Sequence, residues 1–331
     1  MAGPLNCSFD AYLAGDARDP DHVNTVTATV EDDEGSTAVD ADAASVAFVD
    51  LAPVVTAAKT AFPGTVPEPG GTVAFGIEVA NGGVEAVALF SLVDDVFGDL
   101  LDPANAAVAG NTCPVQALAI PPGGVFSCSF TAFVAGDAGD PDHHDTVTAT
   151  VVDDDGNAVV DSADAFVAFT DVLPALLVVK AASPERVAEP GAVVTFTVDL
   201  FNASVEPVTV TGLVDDVFGD LLDPANPAVT ANNCPAQPTV VPAGGMFSCS
   251  FEAFVAGDAG GPDHRDTVTA SAADDEGNRV SDSDDAVVAF SDVLPSIAVA
   301  KTPSAGAVPE PGATVAFLVE VANTSVEDVT L

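Results

Sequence analysis

The feature that most constrains this chain is an internal repeat of 121 residues. The stretch LVDDVFGDLLDPAN begins at Leu92 and recurs 121 residues later, at Leu213. Three cysteines, Cys7, Cys128 and Cys249, keep the same interval. A fixed long period is the signature of an array of similar modules, each of which must explain most of its own folding. The chain is therefore predicted to be a row of equivalent modules.

The period divides the 331 residues into two complete modules and two partial ones. The complete modules are predicted over residues 53–173 and 174–294. Residues 1–52 match the C-terminal part of a module, and residues 295–331 match the N-terminal part. Because a partial module would leave an apolar face and open strand edges uncovered, we expect the chain to be a fragment of a longer protein.

Apolar residues alternate along most of each module. In TVAFGIEVAN, for example, Val73, Phe75, Ile77 and Val79 fall on one face, as in a half-buried strand. Glycine- and proline-containing turn signals separate seven such segments. In the first complete module they lie at about 54–60, 72–80, 85–93, 115–120, 125–134, 145–152 and 158–169. The pattern predicts an all-β chain of tandem immunoglobulin-like, seven-stranded antiparallel sandwiches.

The charge excludes two kinds of partner. Seven basic residues face 51 acidic ones, which gives a net charge of −44. Such a surface repels nucleic acid and anionic lipid, so neither is an expected partner. No segment is long and apolar enough for direct insertion into a membrane. Dissolved salt or divalent cations would screen or bind the carboxylates.

The cysteines indicate an oxidising compartment. Cys113 and Cys128 lie 15 positions apart, and Cys234 and Cys249 repeat that spacing. Two disulfides, one in each complete module, are predicted, and each should stabilise its module by about 3 kcal/mol on the chain-entropy model. Cys7 has no partner at the corresponding position of the chain. The predicted location is extracellular or at the cell surface.

All three lysines, Lys59, Lys180 and Lys301, occupy one repeat position. The simpler interpretation is a surface cation that pairs with one of the many aspartates nearby. The alternative is an intramolecular isopeptide bond to Asn or Asp, of the kind that some surface-protein sandwiches form. The sequence identifies no acceptor for such a bond.

Three acidic clusters recur in each module. If successive strands are antiparallel, the clusters after the third and fifth strands share the pole at which the seventh strand leaves the module. The third cluster lies in the turn between the sixth and seventh strands, and that of the next module would face the same junction. Calcium takes six to eight oxygen ligands, which such a junction could supply. Calcium is the one cofactor that the sequence suggests, and no EF-hand spacing supports it. The candidate ligands are Asp94, Asp95, Asp99, Asp102, Asp137, Asp140, Asp142, Asp171, Asp215, Asp216, Asp220, Asp223, Asp274, Asp275 and Glu276.

The opening of each module resembles a known repeat. AKTAFPGTVPEPGGTVAFGIEVANGG, from Ala58, is similar to the start of a bacterial and archaeal surface repeat catalogued as domain of unknown function 11. The segments from Lys180 and Lys301 are similar, although Ala181 stands where the family usually has Thr. The resemblance covers the front third of each module. It implies tandem immunoglobulin-like modules in large exported proteins with no common enzymatic activity.

Two functions fit these observations. The first is a non-enzymatic stalk or spacer, in which neighbouring repeats of the same chain are the main partners. The second is a calcium-dependent adhesin that binds other surface proteins or glycans. Binding modules usually expose aromatic residues, and the single tyrosine, Tyr12, favours the spacer. No nucleophile elbow or phosphate-binding glycine loop is present, so an enzyme is not expected.

Overall fold

A computed structural model describes residues 3–115, 118–236 and 239–331. This part of the chain contains only strands and irregular segments. Among the described residues, no helix is long and apolar enough to cross a membrane. The chain forms two compact units, residues 1–170 and 171–331. The protein is therefore all-β, as the alternating pattern predicts.

The first complete module consists of two sheets. The strands in its described residues are β3 (Val55–Phe62), β4 (Thr65–Pro67), β5 (Gly70–Asn81), β6 (Val87–Asp94), β7 (Gly98–Asp99), β8 (Ala119–Ile120), β9 (Val125–Ala135), β10 (His143–Val152) and β11 (Ala158–Thr170). One sheet has three antiparallel strands in the order β3–β5–β9, and the other has the order β4–β11–β10–β6–β7, with β8 also paired to β6.

The inward faces of these sheets form a single apolar core. In β5, Val73, Phe75, Ile77 and Val79 are buried, while the residues between them are more exposed. This is the period of two that a pleated strand imposes. Phe75 stacks on Phe130 of β9, with ring centroids 5.1 Å apart. The module thus buries Phe75 and Phe130 between the two sheets.

One predicted strand pairs differently from what its place in the chain suggests. A simple hairpin between the predicted strands at about 115–120 and 125–134 would place Ala117 opposite Cys128. Ala119–Ile120 pairs with β6 instead, with Val87 opposite Ile120, and Ala117 lies outside the described residues. One edge of β9 pairs with β5. The loop that precedes β9 in the chain lies along its other edge, where Ala109 and Thr131 form an isolated β-bridge. Strand periodicity does not specify the partner strand, and this explains the difference.

The loop beside β9 carries the first disulfide. Thr112 donates its backbone N–H to the carbonyl oxygen of Ser129 at 2.8 Å, which brings the next residue alongside the strand. Cys113 is bonded to Cys128 there, and Cys234 is bonded to Cys249 in the second module. These are the two pairs that the repeat spacing indicated. Cys7 is exposed and free.

The second complete module has the same topology. Its strands are β12 (Leu176–Ser183), β13 (Arg186–Ala188), β14 (Gly191–Asn202), β15 (Val208–Asp215), β16 (Gly219–Asp220), β17 (Thr239–Val241), β18 (Met246–Ala256), β19 (His264–Ala273) and β20 (Arg279–Ser291). Its sheets have the orders β12–β14–β18 and β13–β20–β19–β15–β16, with β17 paired to β15. Equal topology at equal spacing is what the repeat predicts.

Each partial module contributes one exposed hairpin. The first is formed by β1 (His22–Glu31) and β2 (Thr37–Val46), and the last by β21 (Ile297–Pro303) and β22 (Phe317–Asn323). Residues 4–14 are not in a strand, although the equivalent segment of the first complete module, residues 125–135, is β9. In the complete module β9 pairs with β5.

Candidate functional site

The most unusual site in each module is a lysine buried between the two sheets. Lys59 lies on β3, and its Nζ is 2.5 Å from Asp94 Oδ2 at the end of β6. The same nitrogen contacts Asp145 Oδ2 on β10. The side chains of all three residues have 0% exposure. One ammonium group therefore bridges two carboxyl groups on the opposite sheet.

Aromatic rings surround this lysine. Its Nζ lies 5.0 Å from the centroid of the Phe75 ring, and 6.0 Å from those of Phe97 and Phe130. The faces of such rings attract a cation, and their bulk keeps water away. Each of these three residues is almost fully buried. The lysine and its two carboxyl groups thus occupy a chamber lined mainly by aromatic rings, with the imidazole Nε2 of His143 3.8 Å from Asp145 Oδ2.

The two carboxyl groups are held differently. Asp94 Oδ1 accepts the backbone N–H groups of Val96 and Phe97, each at 3.0 Å. Asp145 Oδ1 is buried and accepts no hydrogen bond from the described residues. Burial raises the pKa of Asp145, although contact with Lys59 acts in the opposite direction. The two groups therefore differ in their hydrogen bonding.

The second module repeats the site. Lys180 Nζ lies 2.5 Å from Asp215 Oδ2 and 2.5 Å from Asp266 Oδ2, with all three side chains at 0% exposure. Burial again raises the pKa of Asp266, against the effect of Lys180. Lys301, in the last partial module, is exposed and lies over the ring of Phe317.

These positions correct two expectations. Lys59 and Lys180 were expected on the surface, and the structure places them in the core. Asp94 and Asp215 were assigned to a surface cluster of calcium ligands, but each is bonded to a buried lysine instead. The lysines are separated from these partners by 35 residues in sequence. A local pattern cannot report such a contact.

Most of the other candidate calcium ligands stabilise the loop conformations by hydrogen bonds to the backbone. Their side-chain oxygens accept backbone N–H groups close by in space, as in Asp99 with Leu101 at 2.9 Å. Asp140 and Asp142 are exposed. The residues that accept backbone N–H groups in this way are Asp95, Asp99, Asp102, Asp137, Asp216, Asp220 and Asp223.

The hairpin acids tie each linker to the module that follows it. Asn157 donates from its backbone N–H to Asp153 Oδ1 at 2.7 Å, and its side-chain amide donates to Asp50 in the linker, also at 2.7 Å. In the second module Asn278 contacts Asp274 and the linker residue Asp171 in the same way, the latter at 2.9 Å. The hairpin DDDGN, residues 153–157, therefore forms a turn and also fixes the linker to the module. We call this contact between the hairpin asparagine and the linker aspartate the linker clamp.

An acidic cluster surrounds this clamp in the first unit, and we call it cluster 1. Oxygens of Asp50, Glu85 and Asp155 lie within 4.8 Å of one another. Burial and the nearby negative charges of Asp154 and Asp16 raise the pKa of Glu85. Cluster 1 consists of Asp16, Asp50, Glu85, Asp154 and Asp155.

One guanidinium group offsets part of the charge of cluster 1. Arg18 Nε lies 3.0 Å from Asp155 Oδ1, and Nη2 contacts Asp154 Oδ2. A buried oxygen of Glu85 and one of Asp155 still receive no hydrogen bond from the part of the chain that the structure describes. Five acidic residues therefore share one arginine.

A second acidic cluster lies in the second unit, and we call it cluster 2. Oxygens of Glu189, Asp258 and Glu327 lie within 4.8 Å of one another. Asp258 and Glu327 are the repeat equivalents of Asp16 and Glu85, and Gly260 stands where the first unit has Arg18. Cluster 2 consists of Glu189, Asp258, Asp292 and Glu327.

Protons take part in holding cluster 2 together. Backbone N–H groups of Ala259 and Val293 donate to the buried Glu189 at 2.7 and 2.5 Å and lower its pKa to about 2. A hydrogen bond to Glu189, together with desolvation and its negative charge, raises the pKa of Glu327 to about 7. The same partner raises the pKa of Asp292.

A third group of acids involves the candidate ligands of the second hairpin. Oxygens of Asp171, Asp274 and Glu276 lie within 4.8 Å of one another, as do those of Glu206, Asp275 and Glu276. Of these residues, Glu206 was missed by the sequence analysis, as were Glu85, Glu189 and Glu327. They belong to two sets of glutamates at equivalent repeat positions. This periodicity is visible in the sequence, but the predicted ligands came from runs rich in aspartate.

Comparisons with known proteins assign the chain to no family. No family model and no curated protein matches it. Similar solved structures include a 1.5-MDa bacterial ice-binding adhesin studied for host cell surface retention, with 15% identity, a TM-score of 0.25 and coverage of 77% of this chain and 70% of that chain. A Ca2+-stabilized adhesin that helps an Antarctic bacterium bind ice has 18% identity, a TM-score of 0.22 and coverage of 84% and 59%.

A third similar structure is a tetra-tandem repeat from the extending region of a large adhesion protein. It has 17% identity, a TM-score of 0.23 and coverage of 92% of this chain and 71% of that chain. With TM-scores this low, function has to be inferred from the residues of this chain. Its fold and repeat define an all-β tandem-repeat protein.

Proposed function

We propose that this chain is a non-enzymatic spacer in the stalk of a large secreted or cell-surface protein. The observation that carries the proposal is the repeated clamp between a linker aspartate and a hairpin asparagine, Asp50–Asn157 and Asp171–Asn278. A linker that is fixed to its following module bends less, and restricted bending is what a spacer requires. The disulfides support an oxidising, extracellular location.

The fine structure of the modules belongs to the same proposal. We assign them to the immunoglobulin-like class, because two sheets enclose one core in about 120 residues and their strands are antiparallel except for the short parallel pairs β4–β11 and β13–β20. The module openings support membership of the domain-of-unknown-function-11 type of surface repeat. No enzymatic role is proposed.

Calcium is proposed as the ion that completes the acidic clusters. It prefers carboxylate oxygens and tolerates irregular geometry, and clusters 1 and 2 and the acids around Asp171 gather such oxygens. A shared proton and a single arginine are the only charge compensation that the described residues of clusters 1 and 2 supply. A divalent cation would replace the proton in cluster 2 and relieve its repulsion.

One observation favours a second function, a calcium-dependent adhesin. Phe133 and Phe254 occupy equivalent positions and are 64% and 61% exposed. Exposed aromatic side chains at repeated positions are suited to binding a protein or a glycan. The two functions differ in whether the isolated chain binds a partner.

Small-angle scattering tests the spacer. We expect Asn157→Ala combined with Asn278→Ala to broaden the distribution of intramolecular distances, because both linker clamps are lost. Asn6→Ala, an exposed asparagine outside the clamps, is the control and should leave the distribution unchanged. An unchanged distribution in the double variant would contradict a role for the clamp.

A binding screen separates the two functions. The intact chain is offered to glycan arrays and to extracellular matrix proteins, in calcium and in chelator. The spacer predicts no saturable binding. Saturable binding that requires calcium and is lost in the Phe133→Ser, Phe254→Ser variant would establish the adhesin instead.

A further inference from the structure

The buried lysine sites contain one carboxyl group more than an ion pair needs. Lys59 Nζ contacts both Asp94 and Asp145, and none of the three side chains is exposed. Removing charges from water is costly, and one carboxylate would already neutralise the ammonium group. The same surplus recurs around Lys180. A feature so costly, present in both complete modules, calls for a chemical explanation.

The two carboxyl groups are suited to different roles in amide formation. The anchored Asp94 has one oxygen on two backbone N–H groups, so its other oxygen faces Lys59 in a fixed position to exchange protons. Asp145 has a raised pKa from burial, and a protonated carboxyl group is the form that an amine can attack. One group can therefore act as proton relay while the other receives the nitrogen.

The partial module supports this division of roles. The residue equivalent to Asp145 and Asp266 is Asn24. A carboxyl group and a carboxamide can each be attacked by an amine, with loss of water or of ammonia. A carboxamide cannot relay protons as a carboxylate does. Variation between Asp and Asn is thus compatible with the acyl role at this position, whereas the relay position is Asp in both complete modules.

We infer that an amide bond joins the side chains of Lys59 and Asp145, and a second one joins those of Lys180 and Asp266, each formed by the folded module itself. Lys59 lies on β3 of one sheet and Asp145 on β10 of the other. The bond would therefore cross-link the two sheets through the core.

The reaction is a condensation that needs no co-reactant. Asp94 takes one proton from the Lys59 ammonium group, and the resulting amine attacks Cγ of the protonated Asp145. A C–N bond forms, and the C–O bond to the carboxyl hydroxyl breaks. Asp94 passes its proton to the departing hydroxyl group, which leaves as water, and takes the second proton from nitrogen. Asp94 ends protonated, and nothing is oxidised or reduced.

The chamber favours this step in two ways. Fixed contact between the reacting groups replaces a bimolecular encounter. The rings of Phe75, Phe97 and Phe130 exclude the water that would hydrolyse the product. The neutral amide also removes two of the buried charges, so the product no longer carries their desolvation cost.

Intact-mass spectrometry of the denatured, reduced protein is the primary test. The expected mass is below the sequence mass by two water molecules, one for each complete module. Trypsin should cleave after Lys301 but not after Lys59 or Lys180, and the recovered peptides should be joined at Asp145 and Asp266. A mass equal to that of the sequence would overturn the inference and leave two buried ion pairs.

Two variants in the first module test the roles, with the second module as internal reference. Asp145→Asn should keep the cross-link and lose one ammonia and one water, whereas Asp94→Asn should lose one water in total. The reverse result, or a peptide joined at Asp94, would overturn the assignment of acceptor and relay. Lys301→Arg is the control and should still lose two waters. If a first-module variant fails to fold, the wild-type peptide junction still decides the acceptor.

Discussion

The buried lysine sites and the acidic clusters near the linkers compensate the negative charge of their carboxyl groups in different ways. Both gather carboxyl groups, but the interior sites include their own lysine, at 0% exposure and within hydrogen-bonding distance. Cluster 1 has Arg18, whereas cluster 2 has Gly260 at that position and shares a proton between Glu189 and Glu327. A buried charge must be compensated within the fold, and a charge near solvent can be left to ions or protons.

The largest change in the free energy of unfolding is expected when the lysine of a buried site is replaced by an uncharged residue. Lys180→Met would leave Asp215 and Asp266 facing each other in the core, which should cost the second module at least about 3–5 kcal/mol of unfolding free energy. Lys301→Met, on the exposed equivalent, should change stability by no more than about 0.5 kcal/mol. Urea unfolding monitored by hydrogen exchange shows which module has lost stability. Similar losses in both variants would contradict the comparison.

A smaller effect is expected from exchanging arginine and glycine between the two acidic clusters. Arg18→Gly should increase the stabilisation of the first unit by calcium, because cluster 1 then lacks its own cation. Gly260→Arg should decrease the stabilisation of the second unit. Calcium at about 100 times its Kd would stabilise a site by about 2.7 kcal/mol, which scanning calorimetry in calcium and in chelator can detect.

The exchange experiment has a clear negative outcome. Equal melting curves with and without calcium in the wild type and in both variants would show that the clusters are solvated acidic surfaces. A calcium effect that does not respond to either exchange would place the ion elsewhere. The untouched cluster in each single variant serves as the internal control.

The smallest effect is the pH dependence of cluster 2. The folded-state pKa of Glu327 is raised to about 7, from an ordinary value of 4.5. Its contribution to stability is therefore fully present below about pH 4.5 and is lost as pH rises through about 7. Glu189, with its pKa lowered to about 2, contributes above about pH 4.5 and loses that contribution as pH falls through about 2.

NMR titration in chelator measures this behaviour directly. The Glu327 carboxyl resonance should titrate near pH 7, and hydrogen exchange at the β21–β22 hairpin should quicken across the same range. Glu327→Gln imitates the protonated side chain and should remove the change, while Glu320→Gln on β22 is the control. A Glu327 midpoint near 4.5 would contradict the shared proton.

Much of this architecture follows from the sequence alone. The 121-residue period determined the modules, and alternation in stretches such as Val73–Val79 determined the strands and their inward faces. Paired cysteine spacing indicated the disulfides. These features are local or periodic, so they do not depend on which strands become neighbours.

The sites depended on tertiary structure. Lys59 reaches Asp94 and Asp145 across 35 and 86 residues because β6 and β10 are paired, with Asp94 opposite Val147, on the sheet that faces β3. Nothing in the sequence distinguishes those aspartates from the acids at the surface, and burial alone changes their chemistry. The exchange of Arg18 for Gly260 could be seen in the repeat, but its meaning required the acids that folding brings around it. Strand pairing between distant segments decided which charges the protein must compensate internally and which it leaves to the solution.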